Sequence, residues 1–310
     1  MSGTRVTVLG ASNTGFSIAA NLALAGHEVL LWEHPDFAAA LAPIEDSLTI
    51  TLEGHARTGL ARLAAVTTDP AQALAWSDVL LCSVPSYAHA AFTAALLPHL
   101  RSGHLLALLP GNLGSLAVAR ALRQANITGV TVVESDTAPY VCRKSDPDRA
   151  VIWGAVPSLG LGAYPASETA AARDVLDQYF PGAVTYPNVL AAGLSALNPI
   201  VHPAGVLLNA GRIERSRGEF WFYEEGVTPS VVAAIEALDQ ERLAIAAAYG
   251  LELAPVAAGF HQVLSVGQEG LVVRIVQLNH LGQKQGLGGL TGVGGGHHAV
   301  KQQTLVQGVL

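Results

Sequence analysis

Arg5-Val6-Thr7-Val8-Leu9 runs into Gly10-Ala11-Ser12-Asn13-Thr14-Gly15; an apolar stretch, Phe16 to Ala25, is stopped by Gly26; Glu28-Val29-Leu30-Leu31-Trp32 follows and closes on Glu33. The first run is apolar and β-branched, the second has helical character, and the third is again a strand. This order predicts a strand–turn–helix–strand unit. Such a turn presents backbone N–H groups and a helix N-terminus to a pyrophosphate, and an acid at the end of the second strand can accept ribose hydroxyls. Glu33 lies 18 residues beyond Gly15, close to the spacing that role requires. The middle glycine of the G-x-G-x-x-G pattern is replaced by Ser12, whose hydroxyl could donate to a phosphate. The expected cofactor-binding set is Gly10, Ala11, Ser12, Asn13, Thr14, Gly15 and Glu33, joined by Val84 and Pro85 at the end of a later strand. A carboxylate at 33 repels a 2′-phosphate and favours NAD over NADP, although neighbouring His34 could still meet a phosphate.

The remaining composition is consistent with a cofactor enzyme. With 310 residues the chain has room for two domains. Half of it is hydrophobic but only 6% is aromatic, so Ala, Leu and Val build the core. A formal charge of −7 offers no basic surface for nucleic acid. Cys82 and Cys142, the only cysteines, are too few and too far apart for a disulfide framework or a zinc cluster, and a reducing, cytoplasmic setting is expected. The richest apolar stretch, Val189 to Ala210, is interrupted by Asn198, Pro199, His202 and Pro203, which argues against a membrane span.

Strands and helices alternate through the first half. Val79 to Val84, Leu105 to Leu109 and Gly129 to Val133 read as buried strands; His89 to Leu97 and Leu116 to Arg123 read as helices. Strand ends at Gly10, Glu33, Val84, Pro110 and Glu134 would line one edge of a doubly wound parallel sheet, where such folds bind ligands. Ala150–Ala155 and Gly182–Tyr186 read as its last strands, flanking a helix from Ser167 to Tyr179. Beyond about residue 188 the pattern is helical. Thr228 caps a helix with Pro229 in its first turn and Val231, Ile235, Leu238 and Ile245 on one face, ending at Gly250. The expected division is 1–186 for the nucleotide domain and 187–262 for a helical domain. From 263 to 310 a tail follows that is rich in Gln and Gly and carries no acid from Leu271 onward. Within it, His297-His298 reads as a polar loop rather than a metal site.

Asn198-Pro199-Ile200-Val201-His202-Pro203 carries the strongest chemical signal of the second half. Positions i and i+4 share a helix face, so Asn198 and His202 can point together into a cleft between domains. There Asn198 would orient a substrate oxygen or nitrogen and His202 would move a proton near neutral pH. A capping Asn and an ordinary core His would give the same letters. The segments that follow extend the pattern: Leu207-Leu208-Asn209-Ala210-Gly211-Arg212-Ile213-Glu214, Phe222-Tyr223-Glu224-Glu225-Gly226 and Thr228-Pro229-Ser230-Val231. With Val84-Pro85-Ser86, Ala88-His89, Pro110-Gly111 and Glu134-Ser135-Asp136-Thr137-Ala138-Pro139-Tyr140 before them, the chain resembles the octopine/nopaline (opine) dehydrogenase family over residues 5–262.

That resemblance implies an α/β protein: a Rossmann-type domain followed by an all-α substrate domain like that of 6-phosphogluconate dehydrogenases. It implies NAD(P)H-dependent reductive condensation of an amino acid with a 2-keto acid, and oxidation of the secondary amine in reverse. His202 would be the acid/base and Asn198 a substrate-holding residue. Arg143, Tyr140 and Asn209 would bind substrate, Arg143 (ahead of Arg212) as the cation for a carboxylate; read as letters alone, Arg143 and Lys144 also fit a solvated loop pair beside Asp146 and Asp148. The small molecules would be the partners, with neither nucleic acid nor membrane, and the family reading leaves room for a homodimer. Two alternatives stand beside it. A ketopantoate-reductase-like or glycerol-3-phosphate-dehydrogenase-like enzyme would place a lysine near 198 or 202, yet none occurs between Lys144 and Lys284. A cofactor-binding protein without turnover is suggested by the tail, which lacks the Arg- and Asp-containing segment that family members carry.

Overall fold

The computed structural model describes residues 3–258 and divides after Ala196 into two compact units. The first opens with β1 (Arg5–Leu9), α1 (Asn13–Leu24) and β2 (Glu28–Trp32). Its main sheet adds β5 (Ala65–Thr67), β6 (Val79–Cys82), β7 (Leu105–Leu108), β8 (Thr131–Ser135), β11 (Gly160–Tyr164) and β12 (Val184–Thr185), in the order β12-β11-β8-β7-β6-β1-β2-β5. Between β5 and β8 every pairing is parallel, and the strands there are nearly all apolar and buried, as a sheet covered on both faces requires. β11 runs antiparallel to β8, which makes the sheet mixed at one end. Leu9 is in register with Trp32 and with Cys82, Cys82 with Leu108, and Leu108 with Glu134. The carboxyl ends of five strands therefore reach one level and form the expected ligand edge.

A second sheet was not anticipated. β4 (Gly59–Arg62), β3 (Thr49–Gly54), β10 (Arg149–Ala155) and β9 (Tyr140–Asp146) pair in that order. Ala150–Ala155 thus belongs to this sheet and not to the end of the main one. Helix α1 packs against strands of both sheets. Gly15 through Leu22 are all buried, which explains why the helix is made of small and apolar residues with little polar face. The helices α2 (Pro70–Trp76), α3 (His89–Leu96), α4 (Gly114–Gln124) and α5 (Thr169–Leu176) complete the wrapping, and α6 (Val189–Ser195) lies on β11 and β8. Because α6 packs on the sheet, the first unit extends ten residues past the expected boundary at 186.

The second unit contains α7 (Asn198–Leu208), α8 (Ala210–Arg215), a π-helical turn at Phe222–Gly226 and α9 (Pro229–Ala248). Val201 and Ala204 of α7 meet Val231 and Ile235 of α9 in a small core closed by Val256. Leu238 and Ile245, expected on the same buried face, are exposed. The inward positions one turn further on are Asp239, Arg242 and Ala246. The Arg242 guanidinium donates through Nε to Asp239 Oδ1 at 2.7 Å and through Nη2 to the Ala254 carbonyl at 2.6 Å, and Asp239 Oδ2 accepts from the Val256 N–H at 2.8 Å. Val189–Leu208 has the length and apolar character of a membrane-crossing helix. It is divided into α6 and α7, and Val189, Ala191, Ala192 and Gly193 are buried within the protein. The tail at 263–310, His297-His298 included, lies outside the described residues.

Candidate active site

The glycine turn is shaped for close approach. Gly10 has φ +100°, and a Cβ there would lie 2.3 Å from Val84 Cγ1; a Cβ on Gly15 would lie 2.0 Å from the Gly10 carbonyl oxygen. Neither site admits a side chain. The N–H groups of Asn13 and Thr14, in the first turn of α1, have no acceptor among the described residues. An open helix N-terminus beside a turn closed by Gly10 and Gly15 is a cradle for a phosphate, so these residues fit a dinucleotide.

Ser12 does something other than what its hydroxyl suggested. It is the N-cap of α1: Oγ accepts from the Gly15 N–H at 3.2 Å and donates to the Ser83 carbonyl at 2.6 Å. Its single hydrogen points into the protein, so the hydroxyl is not a phosphate donor in this arrangement. Ser83 Oγ in turn donates to the Leu109 carbonyl, which links three loops of the ligand edge. Val84 closes over Gly10, and Pro85 starts the following turn on the exposed side.

Glu33 is also drawn inward. Its carboxylate accepts from the Ala11 N–H at 2.7 Å and the His34 N–H at 2.8 Å, and only 5% of the residue is exposed. Burial raises its pKa, partly opposed by these two N–H groups and by the charges of His34 and Lys144. The acid pins the glycine turn to the end of β2.

Glu134, read in the sequence only as a strand end, builds the ligand edge from within. It is fully buried and accepts from the Leu113 N–H, the Ser115 N–H and Ser115 Oγ, capping α4 from beneath. Gly111 packs directly on its side chain, so the carboxylate shapes the 111–115 turn at the ligand edge. Burial raises its pKa against those hydrogen bonds. The signal was present as Glu134-Ser135-Asp136, since Asp136 is likewise enclosed, accepting from the Gly160 N–H and the Tyr186 hydroxyl.

The three expected substrate residues are placed differently. The Tyr140 hydroxyl accepts from Asn21 Nδ2 at 2.7 Å between β9 and α1; burial pushes its pKa up to about 12. It borders a cavity of about 960 Å³ with Asn21, His27, Arg57 and Tyr179, near the C-terminal end of α1 and away from the glycine turn. Tyr140 is therefore part of the packing at that end of α1. Asn209 donates through Nδ2 to the Gly205 and Gly226 carbonyls, at 2.7 and 3.0 Å, tying α7 to the π-helical turn. Arg143 sits on β9 in register with Val151, half-buried, and burial lowers its pKa. It is a strand residue rather than part of a loop. Alternation along β9 puts it on the face opposite Cys142 and Lys144, which meet α1.

In the second unit, Asn198 begins α7 and His202 follows one turn later. Asn198 is exposed, and His202 is half-buried against Phe222, with ring centroids 5.1 Å apart, and Tyr223, at 6.3 Å. Burial lowers the His202 pKa, and its Nδ1 is enclosed with no hydrogen-bond partner among the described residues. Burial therefore favours the neutral form of the imidazole.

Comparison with known proteins agrees with both units. The family described as NAD/NADP octopine/nopaline dehydrogenase, alpha-helical domain, matches residues 185–275, and the N-terminus of NAD-dependent glycerol-3-phosphate dehydrogenase matches 5–110. An opine dehydrogenase of Arthrobacter sp. (strain 1C) is 34% identical over 262 residues, 84% of this chain and 72% of that one. Among solved structures, a yersinopine dehydrogenase without ligand aligns with TM-score 0.64 and 21% identity, over 81% of this chain. An octopine dehydrogenase in complex with NADH and agmatine aligns with TM-score 0.62 and 20% identity, over 79%. This chain spans 65% and 64% of those two proteins. The matched relative and the helical-domain family together decide against the ketopantoate- and glycerol-3-phosphate-type alternatives: the chain belongs to the NAD/NADP-dependent octopine/nopaline (opine) dehydrogenase family.

Proposed function

We propose that the protein catalyses NAD(P)H-dependent reductive condensation of an amino acid with a 2-keto acid, and the reverse oxidation of the secondary amine. The observation that carries this reading is His202: a neutral, half-buried imidazole one helical turn after Asn198, in the domain that defines the family. When bound, the nicotinamide supplies a hydride to the imine carbon. The chain must then manage protons and orientation. His202 takes the amine proton in the oxidative direction and returns it during condensation. Its Nδ1 is enclosed, so proton exchange is assigned to Nε2. Asn198, exposed at the start of α7, orients a polar atom of the substrate, and Arg143 is the cation proposed for a carboxylate.

Replacement of His202 by Asn tests the assignment. The expected loss in kcat is roughly 10²- to 10⁴-fold, with the dissociation constant of NAD(P)H unchanged. Because burial depresses the imidazole pKa, the neutral base persists below pH 6.5, the ordinary value. The rate of amine oxidation is expected to stay flat through that pH and to fall only in more acid solution. H202N should lose that acid limb, and a variant that retains both limb and rate would remove His202 from the mechanism.

A further inference from the structure

Lys144 is the only lysine in residues 3–258. It lies on β9, where its backbone N–H donates to Asn13 Oδ1 at 2.9 Å, and Cys142 Sγ, on the same face, lies 3.6 Å from the Asn13 carbonyl. These contacts dock the strand on the first residue of α1, at the glycine turn. The Lys144 ammonium lies 4.0 Å from the centroid of the Phe16 ring, one turn into α1. That contact fixes the direction of a side chain that is otherwise flexible. Among the described residues no side-chain hydrogen bond or ion pair engages the ammonium, so its three donors are available to a ligand. Burial lowers its pKa and the Glu33 carboxylate raises it, which places the cation within the field of that acid.

We infer that Lys144 is a phosphate-binding residue of the dinucleotide site, contributed by the second sheet rather than by the glycine turn itself. The chain is acidic overall, and Glu33, drawn inward beside the turn, would by itself repel a dinucleotide's phosphates. A lysine whose backbone is bonded to Asn13 and whose ammonium is directed over Phe16, one turn into the helix that begins with the open N–H groups of Asn13 and Thr14, offsets that repulsion with a point charge. Two phosphate sources share this chemistry: the pyrophosphate common to both cofactors and the 2′-phosphate of NADP. This inference rests on the family's cofactor and concerns which residue holds it.

The test is the dissociation constant of NADH and of NADPH, measured by calorimetry, for the wild type, Lys144→Met and Lys144→Arg. Lys144→Met is expected to weaken binding roughly ten-fold or more, the range of a lost charge-assisted hydrogen bond, and Lys144→Arg to recover most of it. Weakening of NADPH alone would assign the 2′-phosphate, and equal weakening of both would assign the pyrophosphate. Both constants within two-fold of wild type would overturn the inference. Acetylation of Lys144 in the wild type, followed by mass spectrometry, avoids any folding defect of the variant. Saturating cofactor is expected to protect the amine, and an unprotected Lys144 beside bound cofactor would contradict its role. A wild type that binds neither cofactor would overturn the cofactor reading itself, and the inference with it.

Discussion

Replacing Ser12 by alanine removes the hydroxyl that caps α1 and bonds to the Ser83 carbonyl. Loss of an N-cap costs about 1 kcal/mol, whereas glycine at the same position costs only a few tenths. S12A should therefore lower unfolding stability by about that amount in urea titration, and S12G by less. Since the hydroxyl faces the protein, the affinity of both variants for NADH should stay within about three-fold of wild type. A large loss of affinity in S12G with unchanged stability would show that the hydroxyl turns to a phosphate after all. The serine was visible in the sequence as a departure from the glycine pattern, but its use was not. A side chain one residue long can face the ligand or the next strand, and only the position of the Ser83 carbonyl decides. The same is true of Glu33, whose spacing identified the acid but not the two N–H groups that draw it inward.

At the scale of elements, α9 shows where periodicity stopped being informative. Val231 and Ile235 were legible as a buried face, but that face continues through Asp239 and Arg242, which the apolar pattern cannot mark. Each is satisfied by the other and by the backbone of Ala254 and Val256, so the pair locks the segment after α9 onto the helix. Asp239→Ala would leave Arg242 buried without its carboxylate, and the expected loss is about 3–5 kcal/mol in unfolding free energy. The double variant with Arg242→Met should be less damaged than the single one, because the stranded charge is gone as well. Equal stability of D239A and wild type in denaturant titration would contradict this lock. The second sheet escaped notice for a related reason. β3 and β4 are short and partly exposed, and β10, which pairs with β3, comes about 100 residues later, so no local pattern announces that pairing. Without that sheet Arg143 and Lys144 read as a loop pair. With it, one strand sends Lys144 to the glycine turn and Tyr140 to Asn21 near the other end of α1.

For the whole molecule, the central part of the main sheet and the helical unit were readable in order: five parallel strand ends in register, and later a helical unit opening on Asn198 and His202. Buried parallel strands leave continuous apolar runs, and an open helix N-terminus leaves a glycine turn, so both are written locally. The buried polar contacts are not, because Glu134, Lys144 and Asp239 owe their environments to neighbours outside their own segments. The central claim is that this scaffold joins an amine to a keto acid rather than reducing a keto acid alone. The direct measurement incubates the protein with NADH or NADPH, pyruvate and a pool of amino acids, follows absorbance, and weighs the product by mass spectrometry. Cofactor oxidation should require both pyruvate and an amino acid. The product mass should equal their sum less one water plus two hydrogens. Oxidation at the same rate with pyruvate alone, or cofactor binding with no amine-dependent product across the pool, would contradict the proposed function.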